Sequence, residues 1–545
     1  MAPGTTPTST TATTTPDAAV SRRRPKDAVV IGAGPNGLVA ANLLVDAGWD
    51  VLVLETQPVV GGAVRHDSDV APGFVHDEFS AFYPLSVASP VIPKLGLEQY
   101  GLRWRHAPAI LGNPLPDGSW AMLHRDVEDT VAGLDAHAAG DGQAWRDLYD
   151  DWVTIGPALV QSLLTPFPPV RGGLRTLAKL PRVGGLDFVR TLLEPASTMG
   201  GKRFAHEAGQ LLIAGNALHA DIPMDSAGSG LLGLLLAMSG QTVGFPVPEG
   251  GSGNLTKAMA DRLLAKGGRI RCGTRVARVL VDRRRVQGVV TADGERIEAR
   301  AVVADVSATA LFGELVDYVE LPDRVRRGMQ RYELDPGTIK VDWALSAPIP
   351  WTTPPPTPPG TVHVIDSIDQ LSTTQTQITS HAVPSDPFLL VGQMTTADPS
   401  RSPAGTESVW AYTHVPQVTH RDAGPDGLTG RWDADECERM ADRMQARIEK
   451  YAPDLASVIV ARRVLGPHEL QARDENLIQG ALGGGTANLH QQVIFRPIAG
   501  LGRADTPVRG LFLGSASAHP GGGVHGAPGS NAARAVLAAA RTGRL

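Results

Sequence analysis

Residues 27–62 read DAVVIGAGPNGLVAANLLVDAGWDVLVLETQPVVGG. The apolar run at 27–31 predicts a buried parallel strand. Gly32, Gly34 and Gly37 follow in GxGxxG spacing, LVAANLLVDAG predicts a helix ending at Gly48, and 50–54 predicts a second strand with Glu55 directly after it. Each part has a task in gripping a dinucleotide. Gly32 permits the tight turn, Gly34 lets a pyrophosphate approach the backbone, and Gly37 lets helix and strand pack closely. The helix N-terminus offers free N–H groups and positive dipole to the phosphates. Glu55 stands where a carboxylate accepts ribose hydroxyls, and its charge disfavours the 2′-phosphate of NADP. A lone GxGxxG says little; strand, glycines, helix, strand and terminal acid together say a great deal.

The rest of the chain sets the limits. At 545 residues it is long enough for two or more domains. Its 42% hydrophobic and 19% charged residues suit a soluble globular protein, and a net charge of -6 argues against a nucleic-acid partner. Cys272 and Cys437 are the two cysteines; they form no CxxC, so neither a dithiol redox centre nor a metal site is expected. So few cysteines fit a reducing, intracellular compartment, either the cytoplasm or, in a eukaryote, the mitochondrial matrix. Residues 1–26 are rich in Thr, Pro and Ala, without the apolar core of a signal peptide, and read as a disordered tail or a transit peptide.

A second cofactor segment lies far downstream. Residues 250–267 predict a glycine turn and an amphipathic helix, followed by an alternating β-rich stretch that ends in AVVAD at 301–305. Arg283–Arg285 read as a solvated hairpin tip. GGSG at 250–253 lacks GxGxxG spacing and a following acid, so no second nucleotide site is inferred.

With Gly61 and Gly62 after the second strand, the chain resembles the FAD-binding members of the two-dinucleotide-binding-domain flavoproteins, in which a GG pair closes over the pyrophosphate. The resemblance implies FAD as cofactor. It sets Val276, in GTRVARV, against the adenine, although an ordinary core valine reads the same. Arg65 would supply a phosphate charge or lie on the surface. Residues 506–537, TPVRGLFLGSASAHPGGGVHGAPGSNAARAVL, closely resemble the last motif of the phytoene-desaturase and carotenoid-oxidoreductase family. There a strand delivers the chain to the flavin and the glycines pass along its ring. This implies that Gly514 lies near the phosphates or ribityl chain, that Gly526 and Gly529 border the ring, and that Asn531 opens a helix beneath it. Amine oxidases share the plan but usually carry an aromatic residue at this motif, which this chain lacks.

The implied fold is α/β, a glutathione-reductase-like, Rossmann-type FAD-binding domain with an interleaved α+β substrate domain. The FAD-binding parts are expected at 27–85, 240–315 and 490–545, and the substrate domain at 86–239 and 316–489. The implied activity is that of a phytoene dehydrogenase-related, FAD-dependent oxidoreductase moving hydride between an apolar, polyene-like substrate and flavin. Two rivals stand: an amine oxidase-like flavoenzyme, and an FAD-binding regulatory or interaction protein with little turnover.

The middle of the chain offers further expectations. The uncharged run at 226–248 reads as buried core, as the lining of a greasy cavity or as a membrane span. Trp410, Tyr412 and His414 share one face of a strand at 408–415 and either wall a substrate cavity or pack. Residues 171–193 mix basic and apolar positions, as a peripheral membrane contact, a lid or ordinary helices would. A protein partner is a further expectation. His519 and His525 flank PGGGV; each either moves a proton during hydride transfer or packs in the turn.

Overall fold

The computed structural model describes residues 26–545. The tail expected at 1–26 lies outside the described residues except for Lys26. Nine elements carry the site: β1 (Lys26–Ile31), α1 (Pro35–Asp46), β2 (Val51–Leu54), α2 (Ser229–Val243), β3 (Arg296–Ala304), β4 (Gly337–Leu345), β5 (Glu407–Val415), β6 (Leu511–Leu513) and α3 (Ala527–Arg541).

The first sheet has a parallel core. β6, β3, β1, β2 and the strand Arg269–Arg271 lie side by side in that order. β1 and β2 are short, apolar and buried, as strands covered on both faces must be. The antiparallel strands Val276–Asp282 and Arg285–Thr291 extend the sheet from the first half of β3. Their hairpin turns through Arg283 and Arg284, both at positive φ.

α1 and α3 pack together against this sheet. A Cβ on Gly529 would lie 1.9 Å from the carbonyl oxygen of Asn36, and one on Gly526 would lie 2.8 Å from Val39. Only glycine lets the helices approach so closely. The same core takes in Val91, Ile92, Leu95, Leu97 and Leu102, on the substrate side of the boundary expected at 85/86.

The second sheet is mostly antiparallel. Its order is Ile459–Leu465, β4, β5, Leu389–Gln393, Pro359–Val364, Ala109–Pro114 and Trp120–Leu123. One face packs on the helix Ala434–Glu449, whose Met440 and Met444 are buried. Helices including α2 cover the other, where Leu234, Ala237 and Met238 join the core. The 226–248 run is therefore largely core. Among the described residues, no helix is long and apolar enough to cross a membrane.

Candidate functional site

The βαβ turn and the return of the chain at β3 and β6 open one cleft. It is lined by Gly32, Gly34 and Gly62, by Glu55 and Val276, by Asp305 and Asp474, and by Ser515, Ala516 and Ser517. Five of the residues expected to hold the cofactor thus meet in one place, four from the first βαβ unit and Val276 from far downstream.

Gly34 and Gly62 form the narrowest part. A Cβ on Gly62, at φ +53°, would lie 3.1 Å from the Cα of Gly34. The gap suits a diphosphate and would be filled by any larger residue. Glu55 is buried; its carboxylate accepts from the N–H of Ala33 at 2.7 Å and of Gln57 at 2.8 Å. Val276 is buried beside Glu55 and Arg275 in the cleft wall. Asn36, also in the wall, has a buried Oδ1 without a partner. These features fit FAD: two glycines to pass the diphosphate, an acid for the ribose, an apolar contact for the adenine and an orphan polar atom to be satisfied.

The remaining expected residues support the cleft from behind. Gly37 donates its N–H to Asp305 Oδ2 at 2.7 Å, and its missing Cβ leaves room for the carbonyl of Gly32. Gly61, at φ +131°, donates to the carbonyl of Ala33 and makes room for the Arg65 side chain. Gly514 packs between Val303 and Ala532. Gly526 and Gly529, expected along the ring, let α3 lie on α1. α3 also starts earlier than expected: it begins at Ala527, with Gly526 at φ +69° before it, so Asn531 lies inside the helix. Proline is well suited to the first turn of a helix, which explains the early start at Ala527-Pro528.

His525 has both ring nitrogens engaged in the turn, whereas His519 has one engaged and a buried Nδ1 without a partner. His525 Nδ1 accepts from Ala527 N–H at 3.2 Å, which leaves Nε2–H to donate to the carbonyl of Gly522 at 3.2 Å. Burial pushes its pKa down to about 4. His519 Nε2 donates to the carbonyl of Thr165 at 3.0 Å, and burial lowers its pKa as well. The geometry gives His525 a packing role in the turn. Arg65 does not lie on the surface. It is buried, outside the cleft lining, and paired with Glu78 at 3.2 Å. From it a chain of alternating charges runs through Glu78, Arg473, Asp67, Arg463 and Asp342 to Lys340 on β4, tying the loop after Gly62 to the second sheet.

Three residues of the site were not anticipated. Burial lifts Asp305 to about 8, with Asp474 and Glu55 adding repulsion, and lifts Asp474 to about 6. Asp474 Oδ2 stands 3.4 Å from the Cβ position of Gly62, so both acids flank the diphosphate gap. Arg496, fully buried, donates only to carbonyls: those of Gly483, Gly485, Thr486 and Ala516. It fastens the 483–486 loop to the cleft segment at 516. Asp305 ends the AVVAD run, but nothing in that run distinguishes a carboxyl beside phosphate from an ordinary strand end. Asp474 and Arg496 lie in segments without a motif.

An aromatic column leads away from the glycine run. Ser86 donates to the carbonyl of Val524, Ser89 to that of His525 at 2.6 Å, and Leu85 fills the space beside Gly523. Just before the short helix Pro84–Ala88 that carries Leu85 and Ser86, Phe82 packs on Trp410 at 6.1 Å between ring centres, and Trp410 stacks on Tyr412 at 5.9 Å.

Comparison with known proteins agrees with this geometry. The NAD(P)-binding Rossmann-like domain model matches residues 30–91, and the flavin containing amine oxidoreductase model matches 182–342. The chain is 28% identical to the rat protein called pyridine nucleotide-disulfide oxidoreductase domain-containing protein 2, over 94% of this chain and 93% of the rat protein. It is 24% identical to phytoene desaturase of Fusarium fujikuroi, over 92% of this chain and 86% of that one. A putrescine oxidase structure superposes with a TM-score of 0.59 at 16% identity, covering 95% of this chain and 99% of the other, which places the fold among mixed α/β proteins with a Rossmann-like domain. The disulfide in the rat protein's name has no counterpart here, since Cys272 and Cys437 are both free thiols.

Proposed function

We propose, for a chain that is an FAD-dependent oxidoreductase related to phytoene desaturase and to the amine oxidases, hydride transfer between a carbon of an apolar, polyene-like substrate and FAD held in the cleft. FAD, when bound, supplies the two-electron chemistry. The chain's part is to bind, orient and exclude water. Gly34 and Gly62 would admit the diphosphate, Glu55 would accept ribose hydroxyls, and Val276 would pack on the adenine. α3 begins at the glycine run, and its positive end favours negative charge there. The parallel sheet with its antiparallel extension before β3 supports a glutathione-reductase-like type for this half.

The aromatic column carries the reading. Phe82, Trp410 and Tyr412 give a dry wall that starts beside the glycine run, and apolar burial there is worth roughly 25 cal/mol per Å². The test is anaerobic single-turnover reduction of the FAD-loaded protein by a panel of polyenes and of small amines. Bleaching of the flavin by polyenes alone supports the reading; bleaching by amines alone replaces it with amine oxidation. No bleaching by either favours a binding protein with little turnover.

We also propose that residues 170–193 rest on an anionic bilayer. The helices Val170–Lys179 and Leu186–Leu193 leave Leu174 and Leu177 64% exposed and Leu186 82% exposed, with Arg171, Arg175, Lys179 and Arg182 among them. An apolar face set in basic charge suits a lipid headgroup boundary. It would bring a lipophilic substrate to the domain that receives it.

A further inference from the structure

Beyond Tyr412 the apolar wall ends in a polar cluster. Tyr412 Oη lies 3.2 Å from His219 Nδ1, and His219 Nε2 lies 3.3 Å from His363 Nε2. His414, edge-on to Tyr412, pairs with Asp221 at 2.6 Å. Asp221 takes φ +60°, an uncommon backbone for a residue with a side chain, and this turn at the end of a helix sets it and His219 on the same side. Such groups are costly in an apolar core unless they are paired or used. His219, Asp221 and Tyr412 nevertheless keep part of their surface uncovered, though burial controls the titration of His219 and Tyr412. Surface left open so deep in a domain is cavity wall.

Counting protons shows which atom is spare. His219 and His363 are neutral, because burial holds both below the usual histidine range, with His414 lowering His219 a little further and His219 lowering His363. A neutral imidazole carries one N–H. If Tyr412 donates to His219, then His219 donates to His363, and the proton of His363 must sit on Nδ1. That nitrogen has no partner and is pressed against Gly215, where a Cβ would come within 2.5 Å of it. A buried N–H with no acceptor is rare. In the opposite order His363 donates to His219, His219 donates to the Tyr412 oxygen, and only a lone pair is left unmatched at His363 Nδ1. The Tyr412 O–H then has no acceptor among these groups and is left for a ligand.

We propose that Tyr412, held by His219 and His363, is the polar end of the substrate cavity and selects a lipophilic molecule bearing one oxygen function, a carbonyl or a hydroxyl, over a pure hydrocarbon. The proposal rests on the reading of the chain as a flavoenzyme for lipophilic substrates and narrows it. A donor whose own partners are satisfied discriminates well, because a ligand without the oxygen leaves it unpaired.

The experiment uses the FAD-loaded protein and two probes of one shape: retinal, and axerophthene, the same polyene ending in a methyl group. Binding is followed by quenching of tryptophan emission, without turnover. Retinal should bind roughly tenfold more tightly than axerophthene, the worth of one net hydrogen bond. Tyr412→Phe should bring retinal down to the hydrocarbon's affinity and leave axerophthene unchanged. The comparison within the wild-type protein stands even if that variant does not fold. Axerophthene binding as tightly as retinal overturns the proposal and leaves the lipophilic reading in place. If neither binds and small amines bleach the flavin, both fall.

Discussion

The carboxyl of Asp305 holds the N–H of Gly37 at 2.7 Å, and the Cβ position of Gly34 is 3.0 Å from the same oxygen. A second acid, Asp474, faces Gly62 across the gap. Both are raised by burial, to about 8 and about 6, and both stand where a diphosphate would bring negative charge. FAD affinity should therefore fall as pH rises through 6 and again through 8. Asp305→Asn keeps an acceptor for Gly37 and removes the upper step. At pH above 8 it should bind FAD more tightly than wild type by up to about a thousandfold, the scale of one like-charge contact at about 4 Å and an effective dielectric of about 20. Fluorescence titration of apoprotein with FAD across pH measures this, and an unchanged upper step would sink it.

Stability should carry the same signature. Asp305 has a folded pKa above its unfolded value of 3.8, so its contribution is present in full below that value and is lost as pH rises towards about 8. Apoprotein melts between pH 4 and 8 should show Asp305→Asn with a flatter profile than wild type.

Two glycine substitutions should fail in different ways. Gly34→Ala meets no backbone closer than 4.0 Å, so it should fold, yet its methyl enters the diphosphate gap and should abolish FAD binding. Gly529→Ala drives a methyl into the carbonyl of Asn36 and should cost about 1–3 kcal/mol or more by overpacking. Thermal melts of both apoproteins separate the two effects; a normal melt for Gly529→Ala would contradict the packing.

His525→Ala should lower stability by about 1 kcal/mol, since its ring satisfies the first N–H of α3. It should leave flavin reduction unchanged across pH in protein with full FAD content. The histidine is depressed to about 4, so its stabilisation is present above 6.5 and is lost as pH falls towards 4. A rate that loses its pH dependence in the variant would restore His525 to the chemistry.

Leu174→Glu with Leu177→Glu should reduce sedimentation with anionic phospholipid vesicles and leave the melting temperature unchanged, because both side chains are exposed. Equal binding by wild type and variant would remove the bilayer from this face.

The cofactor half was legible because its grip is local. GAGPNG, Glu55 and Gly62 lie within one βαβ unit, and their spacing alone brings them together. Packing roles were harder to read. Gly526 and Gly529 also seat α3 on α1, a contact between segments far apart in sequence. Asp305 and Asp474 gain their character from burial, which a strand end or an unmarked loop does not reveal. The Tyr412 face was visible as a strand alternation, but His219 and His363 reach it from other elements, and no spacing announces such a meeting.

The seat of α3 on α1 also constrains the order in which the molecule can be made. The dinucleotide motif leaves the ribosome well before the helix that backs it, with the whole substrate domain made in between. Until then α1 shows an apolar flank, including Val39, to whatever surrounds it. The nascent chain thus carries an unfinished cofactor domain through the synthesis of the whole substrate domain, and chaperones and early proteolysis have that interval in which to act.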